Sequence, residues 1–172
     1  IDYVEINLSV IQCMQRELAD NVLSMMKEYG VSEDMINLEI TETAVAESPK
    51  ALLDNMKALG DKGISFAMDD FGTGYSNISA LMSLPLDIIK FDKTLIDMAS
   101  NSVQGHKILE SSVTMVKKLG NKIVAEGIEE ASQLEMMSEL GIDYIQGFYF
   151  SKPLPKDDFI KFVVDFNKIT EG

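Results

Sequence analysis

The sequence predicts an α/β fold organised around a mainly parallel sheet. Three observations lead there: six short runs rich in β-branched and apolar residues, stretches of helical spacing between them, and a glycine that stops most of these helices just before the next run. The runs read as strands over Tyr3 to Leu8, Ile36 to Thr41, Ile64 to Met68, Asp87 to Phe91, Lys122 to Ala125 and Asp143 to Ile145. Ser9 is placed to cap a helix whose apolar face is Ile11, Met14, Leu18, Val22 and Met25 or Met26, ending at Gly30. Ser48-Pro49 opens the next, with Leu52, Leu53, Met56 and Leu59 inward before Gly60 and Gly63. A short helix follows Ser76, Val103 to Leu119 closes on Gly120, and Ala131 to Leu140 closes on Gly141. A last helix covers Pro155 to Asn167, and no internal repeat, low-complexity tract or linker interrupts the single domain over 1–172.

Composition narrows the function. With 172 residues, 46% of them hydrophobic, the chain has the apolar content for a real core. Fifteen basic against 28 acidic residues give a net charge of -13, which repels a nucleic acid polymer unless cations neutralise the acids locally. A single cysteine, Cys13, excludes an internal disulfide and suits a reducing, cytoplasmic setting. No apolar run reaches the length of a membrane span, so no membrane contact by this chain is expected, although a parent protein anchored in a membrane is compatible with it. The chain starts at Ile1, directly before a strand-like run, which is expected of a fragment of something longer. The methionines fill apolar stripes, as in a soft core, and His106 stands without a ligand partner.

The polar residues cluster at the C-terminal ends of the expected strands, the edge that faces the functional crevice in βα architectures. They are Asn7, Glu39 with Glu42, Asp69 with Asp70, Lys90 with Asp92, Glu126 with Glu129, and Gln146. Taken singly, Asp92 or Glu42 reads best as a helix cap or a solvated loop residue. Taken together, six strands deliver polar groups to one rim. Clustered carboxylates repel unless they hold protons or hard cations. Oxygen donors suit Mg²⁺ or Mn²⁺, and no His or Cys set has zinc spacing. Adjacent Asp69 and Asp70 fit two ions about 3.5 to 4 Å apart, the arrangement that activates water against a phosphodiester. Lys90 then orients that water or balances charge on phosphate. Gly72 and Gly74 flank Thr73 in a loop free to approach a ligand. The triplet Asp70-Phe71-Gly72 matches a kinase metal motif, but no phosphate loop or catalytic-loop motif accompanies it.

The ordered pieces "INLS", "LEITET", "MDDFGTGYSN", "LDIIKFD", "VAEGIE" and "QGFYFSKPLP" resemble the EAL-domain cyclic di-GMP phosphodiesterases of bacterial second-messenger signalling over nearly the whole chain. The resemblance implies a TIM-like (β/α)8 barrel that uses two Mg²⁺ or Mn²⁺ ions to hydrolyse cyclic di-GMP to the linear dinucleotide. It implies metal ligation by Asn7, Glu39, Asp69 and Asp70, a water-positioning role for Lys90, a general base at Glu126 and a supporting glutamine at Gln146. Glu42 resembles the residue anchoring the loop after Asp70. Glu129, Asp92, Phe148 and Pro153 resemble positions near the bound nucleotide. Asn77 stands where a serine is frequent.

The Glu-Ala-Leu strand that names the family, with its metal-binding Glu and nearby Arg, does not occur in this chain. Six strands are also two short of a closed barrel. The expectation is therefore an N-terminally truncated EAL domain, lacking about the first two strands and weak or inactive alone. Exposed strand edges call for an upstream segment, an upstream sensory or regulatory domain, or a homodimer partner. Two functions stand open: a phosphodiesterase, or an inactive EAL-like module that binds cyclic di-GMP or a protein partner.

Overall fold

A computed structural model of the protein describes residues 3–41, 49–73 and 78–170. Among the described residues, six parallel strands form one sheet in sequence order: β1 (Val4–Leu8), β2 (Ile36–Thr41), β3 (Ser65–Phe71), β4 (Ile88–Phe91), β5 (Lys122–Ala125) and β6 (Tyr144–Ile145). Parallel neighbours need a crossover between them, and helices supply it. These are α1 (Val10–Cys13), α2 (Leu18–Tyr29), α3 (Pro49–Gly60), α4 (Ile78–Ser83), α5 (Lys93–Asn101), α6 (Val103–Lys118), α7 (Ala131–Glu139) and α8 (Lys156–Thr170).

Alternation along the strands sorts side chains onto two faces. Leu38, Ile40, Phe66, Met68, Ile89 and Ile123 pack with Leu52, Met56 and Leu109 of the helices in the main core. Each such side chain contributes about 2 kcal/mol when fully buried. The intervening positions Ala67, Ile88 and Val124 form a second, smaller apolar cluster with Tyr3 and Tyr144. The rings of Tyr3, just ahead of β1, and Tyr144, on β6, meet edge to face at 6.3 Å. The sheet therefore curls until its two terminal strands approach. This is a half-barrel wall of six parallel strands among the described residues, with β1 and β6 at its edges, as the α/β reading expects.

Two local features differ from the sequence expectation. The first helix is broken: α1 ends at Cys13 and α2 begins at Leu18. Asn55 on α3 donates to the carbonyls of Gln15 at 2.8 Å and Cys13 at 3.5 Å, which fixes a turn between the two helices. Ile11 and Met14 are exposed, and Cys13, the last residue of α1, is wholly buried. The other difference is α5, which the sequence reading left without an element. Asp92 accepts from the Thr94 amide at 2.7 Å as its N-cap, and Leu95, Ile96 and Ala99 form its buried face.

Candidate active site

The second face of the sheet becomes polar two residues beyond the Ala67, Ile88 and Val124 layer, because period-two alternation next places Asp69, Lys90 and Glu126 there. Register brings the strands level: Asn7 lies opposite Glu39, and Thr41 opposite Asp69. Lys90 stands in the middle, only 3% exposed. Its Nζ donates to Glu39 Oε1 at 2.5 Å and lies 2.9 Å from Glu126 Oε1, 3.6 Å from Asp69 Oδ1 and 3.8 Å from Glu5 Oε2. Burial works against the ammonium, but hydrogen bonds to Glu39 and Glu126 outweigh it and hold Lys90 above the ordinary lysine range.

The acids respond to the same burial. Glu126 is pushed above the ordinary glutamate value by desolvation, which outweighs the hydrogen bond and charge of Lys90 that pull it down. Glu5 rises to about 7, chiefly through burial and then through its hydrogen bond with Glu39. Glu5 was not among the residues singled out from sequence. It sits two residues before Asn7 on the same strand face, inside the strand and not at its end; extending the alternation back along β1 reveals it.

Asp70 occupies unusual backbone. Among the described residues it is the one non-glycine with positive φ, at 61°. The β3–β4 register slips between Met68 and Phe71, so the strand bulges where the two aspartates stand. The Asp70 amide donates to Asp69 Oδ1 at 3.0 Å, and Thr73 donates to the Asp70 carbonyl through its hydroxyl at 3.0 Å. Aspartate tolerates the left-handed region better than most residues, but the conformation still costs on the order of 1 kcal/mol. The Asp70 carboxyl is raised by burial and then by the charges of Asp69 and Asp92. It therefore shares the electrostatic environment of the rim.

The remaining expected residues flank this centre. Asp92 uses Oδ1 to cap α5. Gly127, following Glu126, has φ +68°, and a Cβ there meets the Lys93 side chain. Lys93 Nζ contacts Glu129 Oε1 at 2.5 Å on the surface. Gln146 is held by its backbone, donating to Ala125 O at 2.9 Å and accepting from the Ile128 amide at 3.1 Å. It lines two open cavities. One, about 640 Å³, also includes Glu5, Tyr144 and Phe162; the other, about 550 Å³, includes Lys93, Glu129, Phe148 and Pro153. Phe148 is 54% exposed, with Lys152 Nζ 5.7 Å from its ring centroid. The structure thus gathers Glu39, Asp69, Lys90 and Glu126 in one contact set and places Glu129, Gln146, Phe148 and Pro153 along the adjoining cavity. Glu42 lies outside the described residues. Among the described residues, no three His, Cys, Asp or Glu side chains converge as a ready cation cage, and no helix is long and apolar enough to cross a membrane. Lys90 stands between the acids.

A sequence model of the EAL domain matches residues 2–153. The oxygen sensor protein DosP of Escherichia coli strain K12 is 33% identical over 158 residues, covering 92% of this chain and 20% of that protein. The cyclic di-GMP phosphodiesterase RocR of Pseudomonas aeruginosa is 32% identical over 156 residues, covering 91% of this chain and 40% of its own length. The chain thus spans well under half the length of these curated relatives. Among solved structures, the PaMucR phosphodiesterase in its c-di-GMP complex superposes with a TM-score of 0.84 at 30% identity, over 91% of this chain and 64% of that one. The EAL domain of Mycobacterium smegmatis DcpA gives 0.88 at 29% identity, over 95% and 73%. With the curled parallel sheet and the acid rim in place, and the family match running through most of its length, the chain belongs to the EAL domain family.

Proposed function

We propose that the chain is the C-terminal part of a metal-dependent phosphodiesterase domain that hydrolyses cyclic di-GMP to the linear dinucleotide. The observation that carries this reading is the buried Lys90 ammonium among Glu39, Asp69 and Glu126 at the C-terminal rim of a parallel sheet, beside a cavity bordered by Gln146 and Phe148. The name of RocR and the ligand in the PaMucR complex support cyclic di-GMP as the substrate.

Asn7, Glu39, Asp69 and Asp70 would hold two Mg²⁺ or Mn²⁺ ions. All four offer oxygen donors, and the acids among them repel one another unless cations intervene. When bound, such ions supply Lewis acidity and lower the pKa of water. The chain's own side chains do the rest. Lys90 engages Glu126 Oε1, which leaves Oε2 to accept the proton of the attacking water. The burial that raises Glu126 above the ordinary glutamate value brings it closer to neutral pH, where a general base works best. The Lys90 ammonium orients the water and offsets charge developing on the phosphate. The Gln146 amide supports that water, while Glu129, Asp92, Phe148 and Pro153 border the nucleotide. Glu42 anchors the loop following Asp70.

The domain is completed by two strands from a preceding segment, which close the barrel between β1 and β6 and bring the Glu-Ala-Leu motif. Pairing into a homodimer takes place beside Gly72, where Leu95, Met98, Ile108 and Met115 line an apolar groove of about 570 Å³. An upstream sensory domain governs the activity, and the site faces the cytoplasm. One observation favours the rival reading of a non-catalytic module: Lys90 occupies the space among the acids. Chromatography of cyclic di-GMP incubated with Mn²⁺ and the protein carrying this domain separates the two. Linear dinucleotide supports the enzyme, and retained affinity without product supports the binding module.

A further inference from the structure

Of the four carboxylates that stand around Lys90 Nζ among the described residues, three have a place at the rim; the fourth, Glu5, lies one layer deeper on β1. Its Oε2 is 3.8 Å from Lys90 Nζ. Its Oε1 accepts from Asn37 Nδ2 at 3.2 Å. Asn37 is the register partner of Glu5 on β2 and is 1% exposed. Its buried Oδ1 has no hydrogen-bond partner in the structure, so the bond to Glu5 sets the orientation of the amide. Glu5 is therefore anchored from the buried side, while its other oxygen faces the lysine.

We propose that Glu5 is a positioning residue for the phosphodiesterase reaction, holding the Lys90 ammonium at fixed depth beneath the rim. The proposal rests on the functional reading above. A lysine side chain has four rotatable bonds and relies on its partners for a fixed position. With Glu39 and Asp69 engaged by divalent cations, Lys90 would lose part of its attraction to them and would face added positive charge. A carboxylate on the deeper side, outside the proposed ligand set, still holds it. Without Glu5, Lys90 moves outward, away from its water-orienting position, and competes with cations for Glu39.

The test uses the protein carrying this domain, with Glu5→Gln and Glu5→Ala. Glutamine keeps the length and the oxygen that accepts from Asn37 but removes the charge facing Lys90. The expected result for Glu5→Gln is a Tm in EDTA no lower than that of the wild type, a kcat lower by about tenfold with little change in KM, and Mn²⁺ affinity weakened by up to about tenfold with the same stoichiometry, as for loss of a side chain supporting a metal site. Glu5→Ala is expected to lose Tm as well. Calorimetry with Mn²⁺ alone gives the affinity independently of turnover. A wild type that binds Mn²⁺ but leaves cyclic di-GMP intact overturns the phosphodiesterase reading, and this proposal with it. An active wild type beside a Glu5→Gln variant with unchanged kcat and Mn²⁺ affinity overturns the proposal alone. Activity that falls only in step with Tm overturns it too, because that is what a merely structural role produces.

Discussion

Lys90 Nζ and Glu39 Oε1 are joined by a 2.5 Å hydrogen bond between two side chains that are each 4% exposed. Buried charges of this kind persist because each has a partner. Around the pair, Asp69 and Glu126 leave more negative charge than one ammonium neutralises. Divalent cations are the natural complement. Mn²⁺ is therefore expected to raise the Tm relative to protein in EDTA, by an amount that grows with concentration and corresponds to about 2.7 kcal/mol at a hundred times Kd. Asp70→Asn should shrink that shift. Identical melting curves in Mn²⁺ and EDTA contradict the metal site.

Glu126→Gln separates chemistry from binding. The variant keeps the shape of the side chain and an oxygen for Lys90 but cannot take up a proton. Turnover of cyclic di-GMP should fall by about 10² or more, with ligand affinity nearly unchanged. Single-turnover kinetics with parallel calorimetry measure both, and near-normal turnover contradicts the assignment of the base.

Stability of the metal-free protein should depend on pH in a defined direction. Glu5, Asp70 and Glu126 all lie above their ordinary values, so the folded state binds more protons than the unfolded chain between those values and the folded ones. Their stabilising contribution is complete below the unfolded pKa and is lost as pH rises through the folded one. For Glu5 that window runs from 4.5 to about 7. Lys90 is shifted above the lysine range and does not titrate there. Thermal melts in EDTA should fall across this window, and Glu5→Gln should flatten part of the slope. A Tm that rises with pH contradicts the electrostatic picture of the rim.

The strands were readable because β2 is a compact run with both faces covered and the apolar runs of β4 and β5 are followed directly by Asp92 and Glu126. The features that escaped depend on distant contacts or on the layer beneath the rim. The break after Cys13 is made by Asn55, forty residues beyond Gln15, and no local pattern records it. The α5 helix had a local signal in Asp92, which taken singly reads as a helix cap or a loop residue, followed by Leu95, Ile96 and Ala99, but so short an apolar stretch does not by itself mark an element. Asp70 was recognised as an acid at a loop, whereas its left-handed backbone and the bulge in β3 arise only on pairing with β4. Glu5 lies beneath Asn7, inside the strand and not at its end, where alternation carried back along β1 places it.

The most direct measurement is product formation from cyclic di-GMP, followed by chromatography with Mn²⁺ present, for residues 1–172 alone and for the same chain joined to a preceding segment that supplies two strands and the Glu-Ala-Leu motif. On the proposed reading, a wall lacking two strands would not hold Asn7 and Asp69 to the fraction of an ångström that catalysis requires. On the same reading, the Glu and Arg of the preceding segment would supply a further metal ligand and a charge-assisted phosphate contact. Negligible product from residues 1–172 and clear formation of the linear dinucleotide by the joined chain is the predicted result. Robust turnover by residues 1–172 alone, or none by the joined chain, would contradict the account.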